Sequence, residues 1–270
     1  MSELIRLETD GRIAEIIFDK PERRNALCLA MWSAIPELLA EAIADPVVSV
    51  IIFHGGDAGS FAAGADISEF ATIYADEHSA NKASDIMARA VSAIENAPKP
   101  LVAAIEGACV GGGVSIAAGC DLRFAGEGAR FGVTPGKLGL LYSPADTRRL
   151  IKVIGQMNAK DLLFSGRIID LDEACRMRLV DHRTGRGEAL AAARSWADTV
   201  ADTAQSSVRG TKAMITGLEA GWSDDTPQAR ELFLKALTSD DFREGYRAFL
   251  EKRRPQFPGN TPSKPGGKGG

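Results

Sequence analysis

The stretch Pro100 to Gly119, Pro-Leu-Val-Ala-Ala-Ile-Glu-Gly-Ala-Cys-Val-Gly-Gly-Gly-Val-Ser-Ile-Ala-Ala-Gly, constrains the fold of this chain more than any other. Its apolar run Leu101 to Ile105 is short enough for a strand buried on both faces, and Gly107, three consecutive glycines and an Ala-rich segment follow it. The pattern predicts strand, tight turn, helix. Glycines at 111, 112 and 113 let a backbone approach a ligand with no Cβ in the way. The first free N–H groups of a helix point outward there, at the positive end of its dipole, so such a turn can hold a developing negative charge. A dinucleotide fingerprint needs Gly-x-Gly-x-x-Gly and a phosphate loop needs Gly-Lys-Ser/Thr. Glycines at 107, 111, 112 and 113 followed by Val114-Ser115 satisfy neither. Close packing of a helix onto a sheet is the other use for the same glycines, and the turn alone leaves both uses open.

A second stretch, Phe61-Ala62-Ala63-Gly64-Ala65-Asp66-Ile67, sets small residues and a glycine after the apolar segment Val47 to Phe53 and the loop Gly55 to Gly59. Asp66 is suited to cap the helix that follows. Further pieces come in a fixed order: Pro21-Glu22-Arg23-Arg24-Asn25-Ala26-Leu27, Cys120-Asp121-Leu122-Arg123-Phe124-Ala125, Phe131-Gly132, and Glu244-Gly245 to Phe257. Taken together with the glycine turn, they resemble the enoyl-CoA hydratase/isomerase family, also called the crotonase superfamily, over roughly residues 4 to 257.

Bulk composition agrees with a folded enzyme-sized unit. The chain has 270 residues, 45% apolar and 25% charged, enough to bury a sizeable core. A net charge of −4 gives no reason to expect nucleic acid as a partner. No apolar run approaches the ~20 residues of a membrane helix, and Met-Ser-Glu-Leu-Ile-Arg lacks the features of a secretory signal, so a cytoplasmic protein with no membrane partner is expected. Cys28, Cys109, Cys120 and Cys175 contain no Cys-x-x-Cys pair and read as reduced core thiols. His54, His78 and His182 have no metal-ligand spacing, and no metal site is expected.

Along the chain, residues 4 to 8 and 12 to 18 alternate around Asp10-Gly11, a hairpin signal. Leu27 to Ile43 has helical spacing, Val47 to Phe53 reads as a strand, and Ser79 to Asn96 reads as an amphipathic helix stopped by Pro98-Lys99-Pro100. Interleaved strands and helices by themselves say α/β. The resemblance implies more: a crotonase-like spiral of repeated β-β-α units over residues 1–186, carrying an acyl-CoA site. From about Gly187 the strand signals cease, and 187–204, 206–220, 226–238 and 240–252 read as helices with a charged face each. In the family such a C-terminal helical region, here 187–257, assembles homotrimers or dimers of trimers. Residues 258–270, rich in Gly, Pro and Lys, have too little apolar surface to offset their ordering entropy and are predicted to form a mobile tail.

The resemblance also implies a chemistry. When a proton leaves the α-carbon of an acyl-CoA thioester, or a nucleophile adds, charge grows on the carbonyl oxygen. Two backbone N–H donors aimed at that oxygen each contribute ~3 kcal/mol. Carried over by motif, the donors are the amides of Ala65 and Gly112. Coenzyme A enters as part of the substrate, with no separate cofactor. Its contacts map to Arg23, Arg24, Asn25 and Ala26, to Ala63, Gly64, Asp66, Ile67 and Ser68, and to Phe233 and Lys252, the last two reaching a neighbouring subunit's site. The 3′-phosphate and diphosphate would call for such cations, although Lys252-Arg253-Arg254 also reads as a solvated helix end.

Two departures from the family pattern matter. Hydratases carry two glutamates at positions held here by Ser115 and Pro135, and neither residue replaces a carboxylate as general acid or base. In addition, Leu138 to Leu150 has Tyr142-Ser143 for the usual Pro-Gly, and Asp146 for the second of two paired glycines. Asp146 is therefore the leading candidate for base or nucleophile, and a helix-capping role is its competing explanation. Tyr142 and Ser115 are supporting candidates, with Glu69 and Asp66 behind them. The expected reaction is one-base double-bond isomerisation. Hydrolysis, dehalogenation or decarboxylation on the same scaffold, or acyl-CoA binding without catalysis, are the alternatives.

Overall fold

The expected hairpin opens the chain in the computed structural model, which describes residues 4–260: β1 (Ile5–Asp10) pairs antiparallel with β2 (Ile13–Phe18). α1 (Leu29–Ala44) and β3 (Val50–His54) come next. The helix begins two residues later than its periodicity predicts because Leu27 is extended: its N–H donates to Gly64 O at 2.8 Å, and its carbonyl accepts from Asp66 N at 3.0 Å. The short α2 (Phe70–Ile73) and the long α3 (Glu77–Glu95) lead to β4 (Leu101–Ile105), β5 (Ala108–Val110) and α4 (Gly112–Gly119). After these come β6 (Leu122–Gly126), β7 (Arg130–Gly132), α5 (Pro144–Ser165), β8 (Ile168–Asp170), α6 (Leu171–Arg176) and β9 (His182–Thr184).

The strands form a six-stranded sheet, β1-β2-β3-β4-β6-β9, parallel from β2 onward, and a three-stranded sheet, β5-β7-β8. Isolated bridges Leu27↔Ala65 and Ala62↔Cys109 extend the smaller sheet toward the start of the chain. Each turn therefore lays one strand in the large sheet, one short extended piece in the small one, and then a helix: β2, Leu27, α1; β3, Ala62 to Ala65, α3; β4, β5, α4; β6, β7, α5. That is the spiral of β-β-α units.

β2, β3 and β4 are buried at every residue, as a parallel sheet covered on both faces requires. One face packs on α1, α3 and α4 through Met31, Ile35, Leu39, Ile94 and Ile116. The other packs on α7 (Ala189–Ala201), whose Ala189, Ala193 and Ala197 recur every fourth residue and let the helix lie close against Val50, Ile52 and Val102. Lys99 is fully buried and caps the end of α1, its Nζ donating to Ala42 O at 2.9 Å and to Asp45 O at 2.6 Å.

Helices α8 (Gln205–Glu219), α9 (Pro227–Leu237) and α10 (Asp240–Leu250) complete the C-terminal part, close to the predicted ranges. Order continues into the expected tail as far as Asn260. Its Nδ2 donates to Thr203 O at 2.9 Å and its Oδ1 accepts from Gln205 N at 2.9 Å, so side-chain hydrogen bonds fix a turn whose composition looked loose. The rest of that tail, 261–270, lies outside the described residues. Cys28, Cys109 and Cys120 are buried, and all four cysteines are free thiols. Among the described residues no helix is long and apolar enough to cross a membrane, and no cluster of His, Cys, Asp and Glu could hold a metal ion.

Candidate active site

Four extended segments lie side by side at one edge of the small sheet. Ala63 N donates to Arg24 O at 3.0 Å, Val110 N donates to Ala62 O at 2.9 Å, and Gly111 N donates to Gly132 O at 2.8 Å. The two glycine turns read from the sequence are thereby brought into contact. A Cβ on Gly111 would stand 3.8 Å from the Cα of Gly64. Both turns need glycine for their backbone as well, at φ 110 for Gly64 and φ 53 for Gly111.

The pairing leaves two amides open. In the Leu27↔Ala65 bridge the bonds run through Gly64 O and Asp66 N, so the Ala65 N–H points away from that partner. Gly112 is the first residue of α4, where an amide has no helical acceptor. Among the described residues neither N–H has a protein acceptor, and Ala65 is exposed. A Cβ at Gly112 would come within 2.7 Å of Trp32 Cζ2 and 3.0 Å of Leu27 Cδ1; one at Gly113 would come within 2.9 Å of Ala62 O. These contacts hold the first turn of α4 against α1 and the Ala62 segment.

Polar side chains gather beside this turn. Ser115 lies one helical turn beyond Gly112, and since helical Cβ atoms tilt toward the N-terminus its hydroxyl leans back toward Gly111 and Gly112. It is buried and donates a short hydrogen bond to Asp146 Oδ1. Asp146 also accepts from Ser143 Oγ at 2.6 Å on Oδ2 and from Arg149 Nη1 at 2.7 Å on Oδ1. Arg149, itself buried, donates from Nε to Glu95 Oε2 at 3.2 Å. The Tyr142 hydroxyl donates to Gly111 O at 3.2 Å. Burial and the Asp146 charge push its phenol well above the usual range, and the neighbouring Ser115 hydroxyl eases that push. Tyr142 is therefore a neutral hydroxyl throughout the physiological range.

Asp146 thus turns inward, with its side chain 19% exposed, and also sits in the first turn of α5 behind the N-cap Ser143. Capping and a site position coexist. Ser143 and Arg149 escaped the sequence reading as parts of this site, though Ser143-x-x-Asp146 has cap spacing and Arg149 follows Asp146 by three residues, one face of a helix.

The weaker carboxylate candidates have structural duties. Asp66 pairs with Lys20 Nζ at 2.5 Å and accepts from Ser68 N at 3.0 Å, and the Lys20 bond holds its carboxyl at about 2. Glu69 accepts from Leu29 N at 2.8 Å, capping α1. Neither is available as a base. Arg23 and Arg24 are exposed, and Arg24 at φ 50 starts the turn that runs beside Ala63. Asn25 is buried, its Nδ2 donating to Gly55 O and Ser60 O at 2.9 and 2.8 Å, which fixes that turn to the loop after β3. Ala26 lies in the same turn and Ile67 is exposed just past the Ala65 amide. Pro135 opens a 3-10 turn, Pro135–Leu138, after β7. Phe233 on α9 and Lys252 past α10 are exposed, and within one chain neither has a hydrogen bond or ring contact with the glycine turns. A cavity of about 1260 Å³ lies at the far end of α4, lined by Ala118 to Arg123, Glu95, Arg149 and residues of α7 and α8.

A family model described as enoyl-CoA hydratase/isomerase matches residues 8–260. The chain belongs to this family. An enoyl-CoA hydratase/isomerase family protein from Hyphomonas neptunium, known from its crystal structure, is 58% identical with a TM-score of 0.93, covering 94% of this chain and 97% of its own. A Mycobacterium tuberculosis protein named probable enoyl-CoA hydratase is 35% identical over 259 residues, 94% of this chain and 98% of the relative. A peroxisomal Delta(3,5)-Delta(2,4)-dienoyl-CoA isomerase of Arabidopsis thaliana is 31% identical, covering 94% of this chain and 96% of the relative. The fold is the crotonase spiral, and the protein is an enzyme of the hydratase/isomerase type.

Proposed function

We propose that this family member acts on an acyl-CoA thioester through an enolate whose oxygen is held by the amides of Ala65 and Gly112, and that it isomerises a double bond with Asp146 as its one carboxylate. The observation that carries the reading is the inward turn of Asp146 onto Ser115, one helical turn from the Gly112 amide. Two open N–H groups on touching glycine turns suit a developing oxyanion, each worth ~3 kcal/mol when the charge forms. Hydration by paired glutamates would need a second carboxylate, and Ser115 and Pro135 supply none. The relative named as a dienoyl-CoA isomerase fits a proton-shifting member of the family.

Coenzyme A would lie along the Arg23 to Ala26 turn and the Ala63 to Ser68 segment. Arg23 and Arg24 are exposed and make no ion pair among the described residues, which leaves their guanidinium groups free for phosphates. Phe233, at 59% exposure, and Lys252 would reach the site of another copy in a trimer or dimer of trimers; the exposed Phe249 and Leu250 on α10 supply apolar surface for such an assembly.

The test is turnover on a panel of 3-enoyl-, 2-enoyl- and saturated acyl-CoA esters, with solvent deuterium uptake at the α-carbon as a second readout. Isomerisation of a 3-enoyl ester, lost in Asp146→Asn with binding retained, supports the reading. Tight binding with neither product nor deuterium uptake would make the protein a binder. Selective hydration of 2-enoyl esters would remove the isomerase assignment.

A further inference from the structure

Asp146 does not present a bare oxygen to the space beside the Gly112 amide. Its Oδ1 is occupied by Ser115 Oγ and Arg149 Nη1, and its Oδ2 by Ser143 Oγ. Of these three donors only Ser115 stands on α4, with its hydroxyl tilted back toward the turn where the thioester oxygen would sit. Its single proton is committed to Asp146, which leaves lone pairs on Oγ to accept. The Tyr142 hydroxyl, anchored on Gly111 O at 3.2 Å, flanks the same spot and restricts where Ser115 can swing.

We infer that Ser115 is the group that touches the substrate carbon, and that it takes up the substrate proton while its own proton passes to Asp146, which stores it. This rests on the enolate reading above. In the first half-reaction the α C–H bond breaks, its electron pair moves into the enolate held by Ala65 and Gly112, and the proton bonds to Ser115 Oγ as the Ser115 proton passes to Asp146 Oδ1. In the second half-reaction the Asp146 proton returns to Ser115 and the Ser115 proton bonds to the γ-carbon, while the enolate electrons restore the carbonyl and shift the double bond. Nothing is oxidised or reduced and no co-reactant enters. Because Ser143, Arg149 and Ser115 surround the Asp146 carboxyl, the protons held on Ser115 and Asp146 exchange with water slowly, and part of the α-proton, now on Ser115 Oγ, is delivered to the γ-carbon of the same substrate molecule.

The probe is trans-3-hexenoyl-CoA carrying deuterium at the α-carbon, with NMR detection of label at the γ-carbon and in water. Wild type should deliver a measurable share of the label to the γ-carbon. Ser115→Ala should lower kcat about 100-fold, the low end for loss of a general acid–base group, with KM and Tm little changed. Asp146→Asn should abolish label transfer. Ser115→Ala within about threefold of wild type, with label transfer intact, would overturn the relay and make Asp146 the direct base. A wild-type enzyme that neither isomerises the ester nor exchanges its α-protons would bring down the enolate reading itself, and the relay with it.

Discussion

Two carboxylates with basic partners, the buried Glu15 and the half-buried Asp146, lie in different parts of this molecule, and they differ in what their donors can do. Glu15, on β2 of the large sheet, accepts from Arg194 Nη2 at 2.8 Å and from His54 Nε2 at 3.1 Å. The His54 ring is fixed in turn, since Gly56 N donates to its Nδ1 at 3.1 Å and so leaves the ring proton on Nε2 facing Glu15. Burial pushes the Glu15 carboxyl up, yet the bonds from His54 and Arg194 outweigh it and hold the group at about 2. Its partners are an imidazole and a guanidinium, and among the described residues no hydroxyl bonds to it. Asp146 also has a guanidinium partner, but its other two donors are serine hydroxyls, which both accept and donate protons, and one of them leans toward the open Gly112 amide. A buried carboxylate paired with charged donors stabilises a fold. One reached through a hydroxyl beside an open amide can move a proton.

The contrast is most directly broken at Asp146. Asp146→Asn keeps the shape and the cap but removes the proton acceptor, and kcat should fall about 10²–10⁴-fold with acyl-CoA affinity nearly unchanged by calorimetry. Loss of affinity with an unaltered rate would put Asp146 in the same class as Glu15. Next in size is Gly112→Ala, whose Cβ would meet the Trp32 ring at 2.7 Å and displace the first turn of α4. Steady-state kinetics should record a loss of about 10²–10³ in kcat, the range for one oxyanion donor, and thermal unfolding a cost of about 1–3 kcal/mol from overpacking.

Glu15→Gln should do the opposite of Asp146→Asn. Because the folded Glu15 carboxyl is held at about 2, below its ordinary 4.5, its contribution is complete above pH 4.5 and is lost as pH falls toward 2. That amounts to about 3 kcal/mol at neutral pH. Urea titrations from pH 7 down to pH 2 should find the variant less stable at the top of this range and converging on wild type at the bottom, with kcat unaffected at neutral pH. The smallest change is expected from Arg24→Ala, a surface cation meeting a phosphate: KM should rise about 3–10-fold, consistent with a charge-assisted bond of ~1 kcal/mol, with kcat constant. Equal KM for wild type and variant would move the coenzyme A phosphates away from this turn.

Much of this arrangement was legible in the residues before any coordinates. The run Leu101 to Ile105 marked β4 to the residue, and the three glycines marked the turn into α4, whereas the strand β5 between them could be read only as part of that turn, because its pairing with β7 is made far along the chain. The shift of α1 from Leu27 to Leu29 could not be read, since it depends on a hydrogen bond to Gly64, far along the chain. Order at Asn260 was equally hidden, because it comes from contacts with Ala201, Thr203 and Gln205 rather than from local composition.

What the sequence determined alone was therefore local: where strands and helices fall, which turns need glycine, and which carboxylates and hydroxyls are on hand. Only the tertiary structure decided which of those groups meet. Asp66, Glu69 and Asp146 are all carboxylates near glycine turns in the sequence, yet the fold spends the first on Lys20 and the second on the α1 amide at Leu29, and turns the third onto Ser115. The physical reason is that hydrogen bonds act over about 3 Å, and at that range the partner of a side chain is chosen by how the spiral stacks its turns, not by its neighbours along the chain.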